Sequence, residues 1–184
     1  MVATRKVYTL RSRTGFEWLL PANEEDFELL RFVATPRSHS WMPVEMERLR
    51  VWEDGRPLEP SDFPACSGGD MLMLSGAAKQ KIGPYLQQYG ELLPLVCGDG
   101  EFWALNVTRL VDALDENESK LLRASDTGAI LMIHKHAFRN AELDKADIFK
   151  LPQMVRGLIY VTDPFVDVIN ASGLKGLEFV QVWP

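Results

Sequence analysis

Cysteines, basic clusters and long apolar runs are all scarce in this chain, and each scarcity excludes a class of protein. The 184 residues include two cysteines, Cys66 and Cys97, with no CxxC pair. Two cysteines alone cannot build a disulfide framework or a zinc site. No apolar run approaches the ~20 residues that cross a bilayer, and the opening MVATRKVYTLRSR lacks the apolar core of a signal peptide. We therefore expect a cytoplasmic protein with reduced thiols and no membrane partner.

Positive charge is also sparse. The chain has 20 Lys and Arg against 26 Asp and Glu, and its net charge is −6. The one basic cluster consists of Arg5, Lys6, Arg11 and Arg13. Nucleic-acid binders usually carry a basic stripe, because neutralising phosphates drives their affinity. The charge balance therefore predicts no nucleic-acid partner and suits a basic protein partner.

Sequence signatures of catalysis are absent as well. The chain has no G-x-S-x-G nucleophile elbow, no phosphate-binding loop and no H-E-x-x-H helix. The SGGD run at 67–70 has glycines without a following Lys-Ser or Lys-Thr, and it is typical of a turn. We therefore expect no catalytic residues and no cofactor.

Two histidines leave one enzymatic alternative open. His134 and His136 are two residues apart in a predicted strand, so both side chains should point to the same face. A metal-dependent enzyme could use this pair with nearby carboxylates, but a full site needs ligands that the sequence does not nominate. Alternatively, the run His134-Lys135-His136 has no metal-binding role and forms a polar face of the sheet. A generic protein-interaction module is a further functional alternative.

The composition is that of a globular α+β protein. Hydrophobic residues make up 46% of the chain and charged residues 25%, so a sizeable core is expected. Short apolar runs between Gly and Pro signals predict a mainly antiparallel sheet with a few short helices. The proline-rich segment 56–69 predicts a boundary. We expect a small, β-rich N-terminal lobe at residues 1–69 and a larger C-terminal domain at 70–184.

Turn and capping residues predict the local elements. Residues 5–20 are typical of two short strands around a turn at Ser12–Gly15. The GDGE turn between ELLPLVC and FWALNVT predicts a hairpin over 91–108. Further strands are predicted at 128–138, 148–151, 157–163 and 177–183.

Two helices are predicted from their ends. Ser75 can cap a helix that runs to Gly90, although Gly83-Pro84 indicates a kink or a start at Pro84. The second helix covers 163–173, with Asp163 as its cap and Gly173 as its stop.

The stretch FWALNVTRLVDALDENES, residues 102–119, ends in an acidic cluster. The apolar spacing over 107–114 fits either a helix or a second strand after a bend. Asp115 and Ser119 are predicted to cap a turn. The spacing does not match a calcium loop, because no glycine stands at the centre.

Four residues are candidates for contacting a partner. Asp112, Glu116 and Glu118 are the expected exposed carboxylates of the acidic cluster. Trp41 lies in the polar loop RSHSWMP, and tryptophans are enriched at binding hot spots. Packing of Trp41 back over the N-terminal lobe is the structural alternative.

Several runs resemble a known family. They are LMLS, ELLPL, FWALNVTRLVDALDENES, AILMIHKHAF, DIFKLP and LIYVTDPFVDVINASGLKGLEFVQVW. The residues that carry the likeness are Asn106, Asp112–Asp115, Ser119, Ile148, Phe149, Leu151, Asp163, Gly173–Gly176 and Phe179. In these features, residues 70–184 resemble immunity protein family 11 (domain of unknown function 1629) of bacterial polymorphic toxin systems.

The resemblance implies a function that composition alone does not give. It implies a bacterial, non-enzymatic protein that binds a cognate toxin and blocks its action. The family supplies no catalytic residues to carry over. The acidity of the chain would suit a basic toxin, because complementary charge speeds association.

Overall fold

The computed structural model describes residues 5–184. Residues 1–4, the start of the predicted N-terminal lobe, lie outside the described residues. The strands are β1 (Val7–Ser12), β2 (Trp18–Pro21), β3 (Met46–Leu49), β4 (Met73–Ser75), β5 (Gly90–Leu95), β6 (Phe102–Val107), β7 (Lys120–Arg123), β8 (Ile130–Lys135), β9 (Ile148–Phe149), β10 (Tyr160–Thr162) and β11 (Leu177–Trp183). The α-helices are α1 (Phe27–Leu30), α2 (Gly76–Leu86), α3 (Asn140–Leu143) and α4 (Asp163–Ser172).

The described strands form small antiparallel sheets. A four-stranded sheet has the order β11-β1-β10-β9, and a three-stranded sheet has the order β4-β6-β5. Strands β2 and β3 pair with each other, as do β7 and β8. This arrangement confirms the predicted α+β class with mainly antiparallel sheet.

The hairpin predicted over 91–108 is confirmed. Strands β5 and β6 pair in register from Leu95 opposite Phe102 to Gly90 opposite Val107. Gly90 is required at the end of this ladder, because a Cβ built there would lie 2.1 Å from the carbonyl oxygen of Asn106. That glycine was predicted to end helix α2, but the helix ends earlier, at Leu86.

Helix α2 begins where its capping residue predicted. The Ser75 hydroxyl accepts a hydrogen bond from the amide of Ala78, which satisfies one free donor of the first turn. Pro84 therefore lies inside the helix, and the alternative start at Pro84 is wrong. Ile82 and Leu86 of α2 are buried together with Phe165 and Ile169 of α4.

Three further predicted local features differ from the structure. Strands β1 and β2 form, but β1 pairs with β10 and β11 while β2 pairs with β3, so they are not a hairpin. Val107 ends β6, and residues 108–114 are neither a helix nor a regular strand: isolated bridges join Leu110 to Lys150 and Leu114 to Phe138.

The third difference is the cap of α4. Thr162 occupies the N-cap position without a side-chain cap hydrogen bond, and Asp163 already belongs to the helix. The Asp163 carboxylate instead accepts hydrogen bonds from the Lys6 amide and the Tyr8 hydroxyl. The predicted stop is confirmed, since Gly173 adopts the left-handed conformation with φ +69°.

The core consists of three clusters of buried side chains. The first lies between α2, α4 and the sheets, the second under β2, β3 and the β5–β6 hairpin, and the third under the segment 111–114 and β9. The division at residues 69 and 70 stays a prediction. Strand β1, from the N-terminal part, lies between two strands of the C-terminal part. Within residues 5–184, no helix combines the length and apolarity needed to cross a membrane.

Candidate functional site

The β7–β8 hairpin carries the main candidate for an interaction surface. Its inner residues Leu121 and Ile133 are opposite each other and pack against the third core cluster. Its outer pair is Leu122 opposite Met132, and their exposed fractions are 46% and 51%. The outer face of a half-buried antiparallel sheet is usually polar. Here the Leu122–Met132 pair is apolar, although the exposed pair Lys120 and Lys135 lies further along the hairpin, and the apolar pair calls for an explanation beyond folding.

A β-bulge adds a third apolar side chain to this surface. Leu122 pairs with Met132 and Arg123 pairs with Ile130, so Leu131 is the extra residue without a partner on β7. Leu131 is 58% exposed. We call Leu122, Leu131 and Met132 the hairpin patch.

A groove of about 350 Å³ adjoins the hairpin patch. Its lining combines Leu131 and Met132 with half-buried or buried residues from the neighbouring sheet and loops: His136, Met154, Leu158 and Tyr160. Asp70 and Arg156 supply charged groups. The hairpin patch therefore continues into a shallow, mostly apolar cleft that contains a few polar groups.

A hydrogen bond fixes the hairpin to the four-stranded sheet at this groove. His136 Nε2 lies 3.1 Å from the Tyr160 hydroxyl, and the His136 ring stacks on Phe138 with centroids 5.8 Å apart. Burial lowers the pKa of His136, so the ring is mainly neutral at pH 7. Burial raises the pKa of Tyr160, which keeps its hydroxyl protonated. This pair is thus a neutral, structural contact at neutral pH.

The two histidines of the metal alternative have different surroundings. His134 is exposed on β8, whereas His136 is half-buried beyond the strand end and bonded to Tyr160. Among residues 5–184, no group of three or more His, Cys, Asp and Glu side chains lies close enough to hold a metal ion.

The acidic cluster leads directly into the hairpin. Asp115 accepts hydrogen bonds from the amides of Asn117 and Glu118, and Ser119 exchanges hydrogen bonds with the Ala137 backbone. The predicted capping role of Asp115 is therefore confirmed, whereas the Ser119 side chain bonds the backbone beyond the end of β8 and does not cap the turn. The capped turn sets the start of β7 beside the end of β8.

The three predicted partner-binding carboxylates differ in their contacts. Asp112 accepts a hydrogen bond from Gln153 at 2.7 Å and pairs with Arg139 at 3.0 Å, and both contacts lower its pKa. Glu116, which was expected to be exposed, is half-buried and pairs with Arg123 of β7. Within the described residues, Glu118 is exposed and makes no ion pair.

Trp41 lies in a different part of the molecule. Its indole Nε1 donates to the Pro94 carbonyl at 2.8 Å, and its ring lies 5.9 Å from that of Phe32. It is half-buried against the second core cluster. The described contacts thus join Glu116 to the hairpin but do not bring Trp41 to it. Whether any of the four residues touches a partner stays a prediction.

Sequence reasoning missed the hairpin patch and strand β7. A signal was available in the run AILMI at 129–133, where five successive apolar residues exceed what one face of a strand can bury. The position of the bulge, which decides that both Leu131 and Met132 are exposed, has no comparable signal.

Comparison with known protein families finds a match over the part of the chain that contains the β7–β8 hairpin. Residues 98–183, a little under half of the sequence, match the model of the Immunity protein family (Imm11). This match confirms the resemblance to immunity protein family 11, and it covers the acidic cluster, the hairpin and strands β9 to β11. No curated protein matches the chain significantly. The family match supports the role of an immunity protein, which favours a non-enzymatic function and a toxin as partner.

Proposed function

We propose that this protein binds a cognate bacterial toxin in the cytoplasm and neutralises it by protein–protein contact, without catalysis. The observation that carries the proposal is the hairpin patch, which lies inside the segment that matches the immunity protein family. Contiguous exposed apolar side chains rimmed by polar residues mark interaction sites on proteins.

The surroundings of the hairpin patch fit the anatomy of a protein interface. Interfaces combine an apolar centre with a polar rim. Leu122, Leu131 and Met132 supply the centre, and Glu116 and Glu118 lie in the turn that precedes β7. An apolar centre supplies affinity through burial, while rim charges mainly affect the rate of association. With a net charge of −6, the chain is suited to attract a basic toxin.

A binding and protection experiment tests the proposal. The toxin domain encoded by the adjacent reading frame would be titrated with the purified protein by calorimetry, and growth would be followed when both are expressed in one cell. We expect tight binding and restored growth. Binding without restored growth would indicate a generic interaction module, and no binding would refute the toxin assignment.

Two substitutions locate the surface. Leu131→Asp and Met132→Asp each place a charge in the apolar centre, and each should raise the Kd by about 30-fold or more. Val51→Asp is the matched control, because Val51 is 45% exposed and lies outside the family-matched segment. Circular dichroism would confirm folding of all three variants. Equal affinities for the control and the hairpin variants would refute the hairpin patch as the binding surface.

A further inference from the structure

A second cavity, of about 500 Å³, lies against β1. Its main side chains are two half-buried tryptophans, two exposed arginines and two aliphatic residues: Arg11, Arg13, Trp18, Trp52, Leu158 and Val180. The volume falls within the range of small-molecule sites, roughly 300–1,000 Å³. Most of the lining precedes residue 69, so it lies outside the segment that matches the immunity protein family.

The two arginines of this cavity belong to the basic cluster that the sequence shows. Arg13 lies over the ring of Phe16 at 5.9 Å. The ion pairs found among residues 5–184 include neither Arg11 nor Arg13. Glu178 stands opposite Arg11 in the strand register, but no ion pair joins them. Two guanidinium groups are therefore available to an anion at the wall of an aromatic cavity.

The chemistry of this lining selects a ligand class. Indole rings offer flat apolar faces on which an aromatic ring can stack. Guanidinium groups bind phosphate or carboxylate through paired hydrogen bonds. We propose that the cavity binds a small molecule in which a planar aromatic ring carries an anionic group. The ring lies against Trp18 and Trp52, and the anion faces Arg11 and Arg13.

Four probes separate the two parts of this ligand. AMP and indole-3-acetate each combine a ring with an anion, whereas adenosine has only the ring and inorganic phosphate only the anion. Calorimetry at low salt should show AMP or indole-3-acetate binding at least about tenfold more tightly than either single-part probe. Binding of AMP alone identifies a phosphate ligand, and binding of both shows that any anionic ring suffices. Failure of both probes to bind, or equal binding of all four, overturns the proposal.

Substitutions around the cavity test the assigned contacts. Arg11→Gln should weaken binding of the preferred probe about tenfold, through the lost charge-assisted hydrogen bond. Trp52→Leu should weaken it by a similar factor through lost stacking. Glu178→Gln should strengthen it, because the substitution removes a negative charge opposite Arg11.

Two controls keep this inference separate from toxin binding. Arg50→Gln removes an exposed arginine that does not line the cavity, and it should leave the affinity unchanged. Leu131→Asp should also leave probe binding unchanged while weakening toxin binding. If Arg50→Gln and Arg11→Gln weaken binding equally, the effect is nonspecific charge and the assigned site is refuted.

Discussion

The buried ammonium group of Lys150 should make stability depend on pH in the alkaline range. The residue is 1% exposed, and its Nζ donates to the carbonyls of Phe32 at 3.1 Å and Val155 at 3.2 Å. Burial lowers the pKa of Lys150 to about 8, against an opposing effect of the Asp70 charge. The difference from the ordinary value of 10.5 corresponds to about 3 kcal/mol.

The direction of the effect follows from proton binding. Below pH 8 both the folded and the unfolded chain carry the Lys150 proton. Between pH 8 and 10.5 only the unfolded chain keeps it, so the free energy of unfolding rises with pH in this window. This contribution to stability is complete above pH 10.5 and is lost as the pH falls through 8. Between pH 7 and pH 10 it amounts to about 2.5 kcal/mol.

Comparison with Lys150→Met isolates this contribution. The free energy of unfolding would be measured by urea titration from pH 7 to pH 10.5 for both proteins. Other groups that titrate here, such as Tyr85 and Tyr89, whose pKa values are raised by burial and by Asp147, are present in both and cancel. Relative to the variant, the wild-type chain should gain about 2.5 kcal/mol between pH 7 and pH 10. That gain is a shift of about 1 M in the urea midpoint.

The substitution also has a cost that does not depend on pH. Methionine leaves the Phe32 and Val155 carbonyls without this donor, at about 1–3 kcal/mol each. That cost shifts the whole curve and does not change its slope. Lys135→Met, which removes one exposed positive charge, controls for net charge. A constant difference between wild type and Lys150→Met from pH 7 to pH 10.5 would refute the reasoning.

Three further substitutions test other parts of the structure. Arg48→Leu should cost about 3–5 kcal/mol of unfolding free energy, because it leaves buried Glu17 without its partner at 2.7 Å, and a smaller loss in urea titration would contradict this. Ser75→Ala should cost about 1 kcal/mol by removing the cap of α2, which thermal melting would detect. Glu118→Lys should change stability by less than about 0.5 kcal/mol but slow toxin association in stopped-flow measurements at low salt. An unchanged association rate would argue against Glu118 at the interface.

Elements defined by neighbouring residues could be predicted from the sequence. The β5–β6 hairpin follows from an Asp-Gly turn between two apolar runs, and the end of α4 follows from Gly173. The start of α2 at Ser75 follows in the same way. In each case the residues that determine the element lie within a few positions of each other, so the local sequence is enough to predict it.

Pairings between distant residues could not be predicted. Strand β1 pairs with β10 and β11, whose residues lie between about 150 and 175 positions further along the chain. The turn at Gly15 is compatible with a hairpin and equally with two strands that enter different sheets. Lys150 shows the same limit, because the Phe32 carbonyl that its buried ammonium group contacts lies 118 residues earlier in the chain.

Side chains along the β7–β8 hairpin alternate between the core and solvent. This alternation separates the residues that stabilise the hairpin from those that are free to contact a partner. An isolated two-stranded hairpin is at best marginally stable in water, so Leu121 and Ile133 must hold it against the core. Leu122 and Met132 are their immediate neighbours on the two strands, and they contribute little to that anchoring because they face solvent. Selection for folding alone would allow polar residues at these outer positions. Apolar side chains there, with Leu131 added by the bulge, are therefore better explained by a surface that is buried in a complex than by the stability of the free protein.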